Sequence, residues 1–363
     1  VKKKILFVSY SVYGGGAEKR TLAILRSLDR EKFEPELCVF SAAPGDAERL
    51  PPGVPLHVLS TRLRPASLFL YFKLLALIRR VRPDRVFSAL WSVNLIALAA
   101  AARAGVPAVV TEATTPSVSV GSEPFSALKA ALIRRFYRRA ELIIAVADCV
   151  KRDLVKNFGV PDGLVKVILN GVDAGATARR AEEYKAPCSG HIAACGGLNW
   201  WKNYPLLIKA AARSKVGKVV IAGRGPLRGE LMDLAGAEKV GLLLPGHLEN
   251  PYPYIKAAVV FALTSVFEGL PNVVLEAMAC GTPVVAVDCP GAVRELIEDG
   301  RTGLIVPNDD PAALAAAIDR VAGDPAFARA LAANARAALT EKFSLPCMLK
   351  AYEEALSAPS RGR

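Results

Sequence analysis

The sequence predicts two α/β domains, each a doubly wound parallel sheet of the Rossmann-like kind. Three observations predict it. Short apolar strands alternate with helical segments along the chain, the alternation lapses once near residues 174–190, and 363 residues exceed what a single core of ordinary size accommodates. Such alternation calls for parallel strands covered by helices on both faces. The first series of strands is expected at 5–9, 36–40, 85–89, 108–111, 142–146 and 165–169. The second is expected at 192–195, 218–222, 240–244, 259–263, 284–287 and 303–306. The string NGVD at 170–173 ends the first series, so the expected division is a first domain at 1–173, a linker at 174–190 and a second domain at 191–343. Residues 344–363 are expected to be helical to about 357, with a frayed APSRGR tail. Doubly wound sheets bind ligands beyond the carboxyl ends of their strands, so two facing domains put a site in the cleft between them.

Composition bounds the partners. With 52% hydrophobic and 22% charged residues the chain is globular. Forty-seven basic residues against 34 acidic give a net charge of +13, which suits nucleic acid, anionic lipid or a phosphorylated substrate. Aromatic residues are sparse, and there is no zinc-finger, RNP-like or basic-zipper pattern, so no nucleic-acid partner is expected. A mean hydropathy of +0.29 in so basic a chain favours contact with an anionic membrane surface. The longest uncharged stretch, 86–102, is shorter than the ~20 apolar residues of a membrane span. It also holds Ser88, Ser92 and Asn94, and reads as a strand followed by a buried helix. Lys2 to Lys4 lead directly into the strand ILFVSY, which is no signal-peptide pattern. Seven scattered cysteines without a Cys-x-x-Cys pair point to a reducing cytosol and to neither a disulfide framework nor a zinc site.

The chemistry concentrates where strands end. At 265–283, SVFEGLPNVVLEAMACGTP, Pro271 and Asn272 open a helix, 273–279 form its body and Gly281 stops it. First-turn amides lack internal partners and carry partial positive charge, so they hold anions. Glu268 lies just before those amides and Glu276 one turn inside, a layout that fits a phosphate between two polyhydroxylated groups, as in a sugar nucleotide. At 13–20, YGGGAEKR places glycines between a strand and a helix, where backbone can approach a ligand closely. AACGGLNWWKNY at 193–204 and IAGRGPL at 221–227 repeat that arrangement. The 13–20 string is neither a Walker A loop nor a G-x-G-x-x-G fingerprint. KAALIRRFYRR at 129–139 is a basic helix in which Arg134, Arg135, Arg138 and Arg139 recur at one-turn offsets. Such a face is either simply solvated or suited to an anionic bilayer or a lipid diphosphate.

The 265–283 string resembles the EGLPNVLLEAMACGTPVV signature of the retaining family 4 glycosyltransferases, with Glu268 and Glu276 in its E-x7-E spacing. The resemblance extends over essentially the full length and implies the GT-B architecture, with the terminal helix packed back on the first domain. It implies that Glu276 holds the ribose hydroxyls, that Glu268 holds the donor sugar, and that Gly269, Leu270, Pro271, Asn272 and Val273 line the diphosphate. The GGAER-like string places Gly15 and Gly16 near the donor phosphates or the acceptor. The G-R-L-x-x-x-K-N pattern is matched by Gly196, Leu198, Lys202 and Asn203, which assigns Lys202 to the diphosphate, and GxGPL is matched through Gly225. GHLENPYPYI at 246–255 resembles a stretch of the bacterial subgroup that builds lipid-linked and surface polysaccharides, where residues such as Leu248 line the nucleobase and UDP-sugars predominate. His247 is a loop residue.

Two positions depart from the family. Gly197 stands where the family has Arg, and Arg224 is the expected replacement for the missing charge or else a surface arginine. In TEATTPS at 111–117, Glu112 is kept, while Ala113 replaces a His or Arg that lies near the donor sugar in relatives. The expectation is a cytoplasmic, peripheral enzyme at the inner membrane face, moving a sugar with retention from a nucleotide diphosphate, without a metal or other cofactor. The acceptor would be lipid-linked or a surface glycan, met by Glu112, Arg134, Arg135 and Arg138, with Lys73, Arg79 and Arg80 as further surface contacts. The departures also admit a catalytically silent sugar-nucleotide-binding subunit of a membrane glycan assembly.

Overall fold

The structure, a computed structural model, describes residues 2–12, 14–60, 66–121 and 124–359; Tyr13 of the glycine-rich string and residues 360–363 of the tail lie outside them. It divides into two compact units, Val1–Leu169 with Cys347–Arg363, and Asn170–Pro346. Among the described residues the first unit carries a seven-stranded sheet of β1 (Lys3–Ser9), β2 (Phe33–Val39), β3 (Leu56–Val58), β4 (Arg85–Ala89), β5 (Ala108–Glu112), β6 (Leu142–Ala145) and β7 (Val165–Val167). Their order is β3-β2-β1-β4-β5-β6-β7. The second unit carries a six-stranded sheet of β8 (Ile192–Cys195), β9 (Lys218–Ala222), β10 (Gly241–Gly246), β11 (Val260–Leu263), β12 (Val284–Val287) and β13 (Leu304–Val306), in the order β10-β9-β8-β11-β12-β13. Every ladder is parallel. These are the two Rossmann-like sheets that the alternation predicts.

Each residue of β4, β5, β11 and β12 is buried; β11 and β12 read as unbroken apolar runs, while β4 carries Arg85 and Ser88 and β5 ends on Thr111 and Glu112. β3 has no counterpart in the expected series: it is three residues long, incompletely buried, at the sheet edge, and preceded by Pro51, Pro52 and Pro55. The uncharged stretch 86–102 forms β4 and the helix Trp91–Ala104, with Val93, Asn94, Ala97 and Leu98 buried. No helix of the described residues is long and apolar enough to cross a membrane. The segment expected as a linker opens on the helix Ala174–Arg180, capped by the Asp173 carboxylate at 2.7 Å from the Ala176 amide. Asn250 Nδ2 donates to Arg180 O at 2.7 Å, so this segment is part of the second unit. Its small and charged residues conceal a helix that is held by tertiary contacts.

In each sheet the strand order reverses once, between β1 and β4 and between β8 and β11. Loops leaving such switch points diverge and open a crevice at the carboxyl ends of the strands. The glycine-rich turns after β1 and β8 and the loop before Glu268, which follows β11, leave three of these four strands.

Close to where the chain changes unit, two stretches of the second unit lie side by side. Val172 N donates to Phe343 O at 2.9 Å and Leu345 N to Val172 O at 3.2 Å. A Cβ on Gly171 would stand 2.6 Å from Ser344 O, so only glycine permits this approach. The helix Leu345–Ser357 then joins the first unit: Tyr352 and Leu356 are fully buried, and the Tyr352 ring meets Phe87 of β4 edge-on, centroids 6.1 Å apart. Its last carbonyls face cations, as helix carboxyl ends favour. Lys3 Nζ donates to Ser357 O at 2.5 Å, and the buried Arg85 guanidinium donates to Leu356 O and, at 2.9 Å, to Ala358 O. Arg85 also forks onto Glu141 at 2.9 and 2.8 Å. Arg85→Met leaves the Glu141 carboxylate and those carbonyls without their buried partner; urea unfolding is expected to show a loss of about 3–5 kcal/mol, and a change below about 1 kcal/mol would contradict the clamp.

Candidate active site

In the second unit, three loops are built on backbone-to-backbone contact. After β8, Gly196 adopts φ +148°, and its N–H donates to Ala222 O at 3.0 Å. A Cβ on Gly223 would stand 1.8 Å from Gly196 O, and one on Gly225 2.4 Å from Leu198 O. No residue with a side chain fits either place, so glycines at these positions are a packing requirement. Leu198 N in turn donates to Arg224 O at 2.9 Å. The chain then makes a 3₁₀ turn, Trp200–Lys202, passes through Asn203 in the left-handed region at φ +48°, and starts the helix Tyr204–Arg213.

This turn is joined to the loop after β11. Thr264 Oγ1 donates to Lys202 O at 2.8 Å, and Val266 N donates to Trp201 O at 2.8 Å. The result is a close ion pair: Lys202 Nζ lies 2.6 Å from Glu268 Oε1, with side chains 16% and 15% exposed. Ser265 Oγ adds a second donor to the same oxygen at 2.7 Å. The Glu268 backbone is itself clamped, its N–H donating to Pro290 O at 3.0 Å, while a Cβ on Gly291 would come within 2.0 Å of Glu268 O. Gly269 O accepts from Ala292 N at 2.9 Å, and Leu270 is buried below.

The helix Asn272–Ala279 opens four residues beyond Glu268, as its sequence predicts, and Gly281 follows it at φ +75°. Pro271 as N-cap offers no side-chain acceptor, which leaves the first-turn amides of Asn272 and Val273 to satisfy an anion or solvent. The Asn272 side chain is positioned by Asn170 Nδ2 at 2.7 Å from its Oδ1. Glu276 is half-buried one turn inside; after burial itself, its carboxylate is the next cause pushing the Cys280 thiol up to about 12.

Other expected donor residues lie differently. Asn203 donates through Nδ2 to Asp309 at 3.2 Å, so its evident part is the left-handed turn, a conformation asparagine tolerates. A Cβ on Gly197 would come within 2.4 Å of Asn199 Nδ2, so the asparagine amide occupies space that a larger residue would need. The exposed Arg224 side chain runs elsewhere, its Nε 3.7 Å from the place of a Cβ on Gly246, alongside the turn that leads to the half-buried Leu248. Tyr204 lacked a signal in the sequence. Its hydroxyl is buried without a hydrogen-bond partner, 3.0 Å from the place of a Cβ on Gly196.

In the first unit, Gly15 caps the helix Gly16–Ser27 with no side-chain acceptor, and the buried Glu18 carboxylate stands 3.5 Å from where a Gly15 Cβ would be. Arg134, Arg135 and Arg138 are exposed on the helix Ser126–Tyr137 and its cap. Arg134 donates to Asn157 O at 3.2 Å and lies over the Phe158 ring, and Arg138 lies within 3.0 Å of a Gly159 Cβ position. Lys73 donates to Ser60 O at 2.7 Å, and Arg80 faces His57 Nδ1 at 3.5 Å. Arg79 is exposed in the same helix, Ala66–Val81.

Glu112 corrects the expectation of an acceptor contact. It ends β5 in the sheet interior and is 0% exposed. Its Oε2 accepts from the buried Tyr137 hydroxyl at 2.6 Å, and Oε1 accepts from Ala113 N and the Thr114 hydroxyl at 3.1 and 3.2 Å. Asn94 Nδ2 reaches the same hydroxyl at 3.2 Å. Glu112 therefore ties loop 113–117 to the basic helix and presents nothing to a ligand. Burial outweighs these hydrogen bonds and raises its carboxyl from 4.5 to about 7. A carboxyl raised on folding stabilises fully below pH 4.5 and loses that contribution as pH climbs through 7. Relative to Glu112→Gln, the parent is expected to lose roughly 3 kcal/mol between those pH values in urea unfolding, and parallel profiles would contradict it.

Two family models match the chain, Glycosyltransferase Family 4 over residues 14–175 and Glycosyl transferases group 1 over 189–324. A relative from Campylobacter jejuni, the N-acetylgalactosamine-N,N'-diacetylbacillosaminyl-diphospho-undecaprenol 4-alpha-N-acetylgalactosaminyltransferase, is 34% identical over 85% of this chain and 87% of its own. Among solved structures, Anabaena HepE in complex with UDP-glucose superposes with a TM-score of 0.82 at 22% identity, covering 98% of this chain and 99% of that one. The sucrose-phosphate synthase of Thermosynechococcus elongatus gives 0.82 at 20% identity, covering 99% and 100%. The structural likenesses establish the GT-B fold. Together with the matched models and the relative, they show that this chain belongs to the family 4 glycosyltransferases.

Proposed function

We propose that the protein transfers a sugar from a nucleotide diphosphate donor, of the UDP type, to a lipid-linked or surface-glycan acceptor, with retention and without a metal. The observation that carries this reading is the Lys202–Glu268 pair, 2.6 Å apart, with Glu268 four residues before the uncapped start of Asn272–Ala279. Breaking a glycosidic bond leaves negative charge on the departing diphosphate. Lys202 and the amides of Asn272 and Val273 are the donors that would meet it, preorganised by the surrounding backbone. Glu276, one turn inside, would accept from the ribose hydroxyls, and Glu268 from the donor sugar. Arg224, alongside the Gly246 turn, would meet the nucleotide where the base is expected.

HepE binds UDP-glucose and the Campylobacter relative acts on a diphospho-undecaprenol-linked sugar, which supports a UDP-sugar and a lipid diphosphate for this chain. The exposed arginines of the Ser126–Tyr137 helix suit the latter, and with it a peripheral place on the cytoplasmic face of an anionic membrane. A second reading, a silent sugar-nucleotide-binding subunit, draws on Gly197: the family arginine is absent, and Asn199 fills its approach. Donor binding without transfer would favour that subunit.

UDP at 100 times its dissociation constant is expected to stabilise the chain by about 2.7 kcal/mol in a thermal shift, with EDTA as with magnesium. Glu276→Ala is expected to abolish that shift; a mutant that binds UDP like the parent contradicts the assignment. Lys202→Met is expected to lower turnover about 100- to 1,000-fold in a donor-consumption assay, the loss typical of one removed oxyanion donor. A reduction below tenfold would remove Lys202 from the chemistry.

A further inference from the structure

The two loops that create the Lys202–Glu268 pair also create an aromatic pair. Trp200 precedes Lys202 by two positions in the 3₁₀ turn, and Phe267 immediately precedes Glu268. Their ring centroids are 6.0 Å apart with planes at 60°, and Trp201 stands edge-on to Trp200 at 6.0 Å and 89°. Trp200 is 53% exposed, although a tryptophan is usually well covered in a folded chain. The loops that carry the two rings are tied together: Val266 N donates to Trp201 O and Thr264 Oγ1 to Lys202 O, both at 2.8 Å. An exposed aromatic side chain is thus carried by the same two loops as the Glu268 carboxylate, the Lys202 ammonium and Asn199.

That combination has one natural complement. A pyranose presents a flat face of C–H groups and a rim of hydroxyls, so the face covers an aromatic ring while the rim bonds to neighbouring polar groups. A purely apolar partner would leave Lys202 and Glu268 desolvated without satisfying them. We propose that Trp200 and Phe267 form a stacking platform for a pyranose ring at a sugar subsite beside Lys202 and Glu268. The platform rests on the donor-site reading above. The ring belongs either to the sugar carried by the nucleotide or to the glycan of the acceptor.

Calorimetry on the full chain separates these sources. UDP, UDP-glucose, UDP-N-acetylglucosamine and UDP-N-acetylgalactosamine are titrated into the parent, Trp200→Ala and Trp200→Phe. The methyl α-glycosides of the same three sugars are then titrated into UDP-saturated protein. The platform predicts that UDP binds all three chains equally, while Trp200→Ala weakens a sugar-bearing probe about three- to tenfold and Trp200→Phe recovers most of it. Loss confined to a UDP-sugar assigns the platform to the donor; loss confined to a glycoside assigns it to the acceptor. A parent that gains no affinity from any sugar, or a gain that Trp200→Ala retains, overturns the proposal. A parent that fails to bind UDP overturns the donor reading itself and the platform with it, and is distinguished by the UDP titration alone.

Discussion

The second unit is organised around a salt bridge between loops 66 residues apart in sequence: Lys202 Nζ and Glu268 Oε1 meet at 2.6 Å. A partly buried pair of this kind gains little by charge alone, because desolvation offsets most of the attraction. Its value is positional. Three backbone constraints converge on it, the Trp201 and Lys202 carbonyls held by Val266 and Thr264, the Gly291 approach to Glu268 O, and the Gly223 and Gly225 approaches beneath Gly196 and Leu198. Each requires either a hydrogen bond to a backbone carbonyl or the absence of a Cβ. The pair is thereby placed at the β8–β11 switch point, next to the amino end of Asn272–Ala279.

The first unit uses the same sheet logic with a different interior. There the end of β5 turns inward, and Glu112, Tyr137 and Asn94 form a buried hydrogen-bonded group between the 113–117 loop and the basic helix. A buried polar group is tolerable only when it is satisfied, so this network fixes how the loop and helix are placed relative to each other. The exposed arginines are carried on a helix whose other side is anchored by Tyr137 and Ile133. The surface charges are positioned by contacts in the interior.

The strands were legible because both-sided burial leaves mostly apolar runs, and β3 was not, being a short edge strand among prolines. The helix start at Asn272 was legible from Pro and Gly punctuation. Positions set by three-dimensional crossing were not. No spacing shows that Glu112 points into the core, that Asn203 serves a turn through Asp309, or that Arg224 runs toward Gly246. The hydroxyl of Tyr204 and the pairing of Trp200 with Phe267 arise from contacts between separate loops, so they too leave no trace in local pattern.

The claim that Lys202 and Glu268 act as one unit is tested most directly by a double-mutant cycle on UDP-sugar affinity. It uses the parent, Lys202→Met, Glu268→Gln and the double variant, measured by calorimetry with the tightest-binding UDP-sugar. The account predicts a coupling of about 1 kcal/mol or more, the double variant losing less than the sum of the single losses. Losses that add within about 0.5 kcal/mol would show two independent side chains and contradict the account.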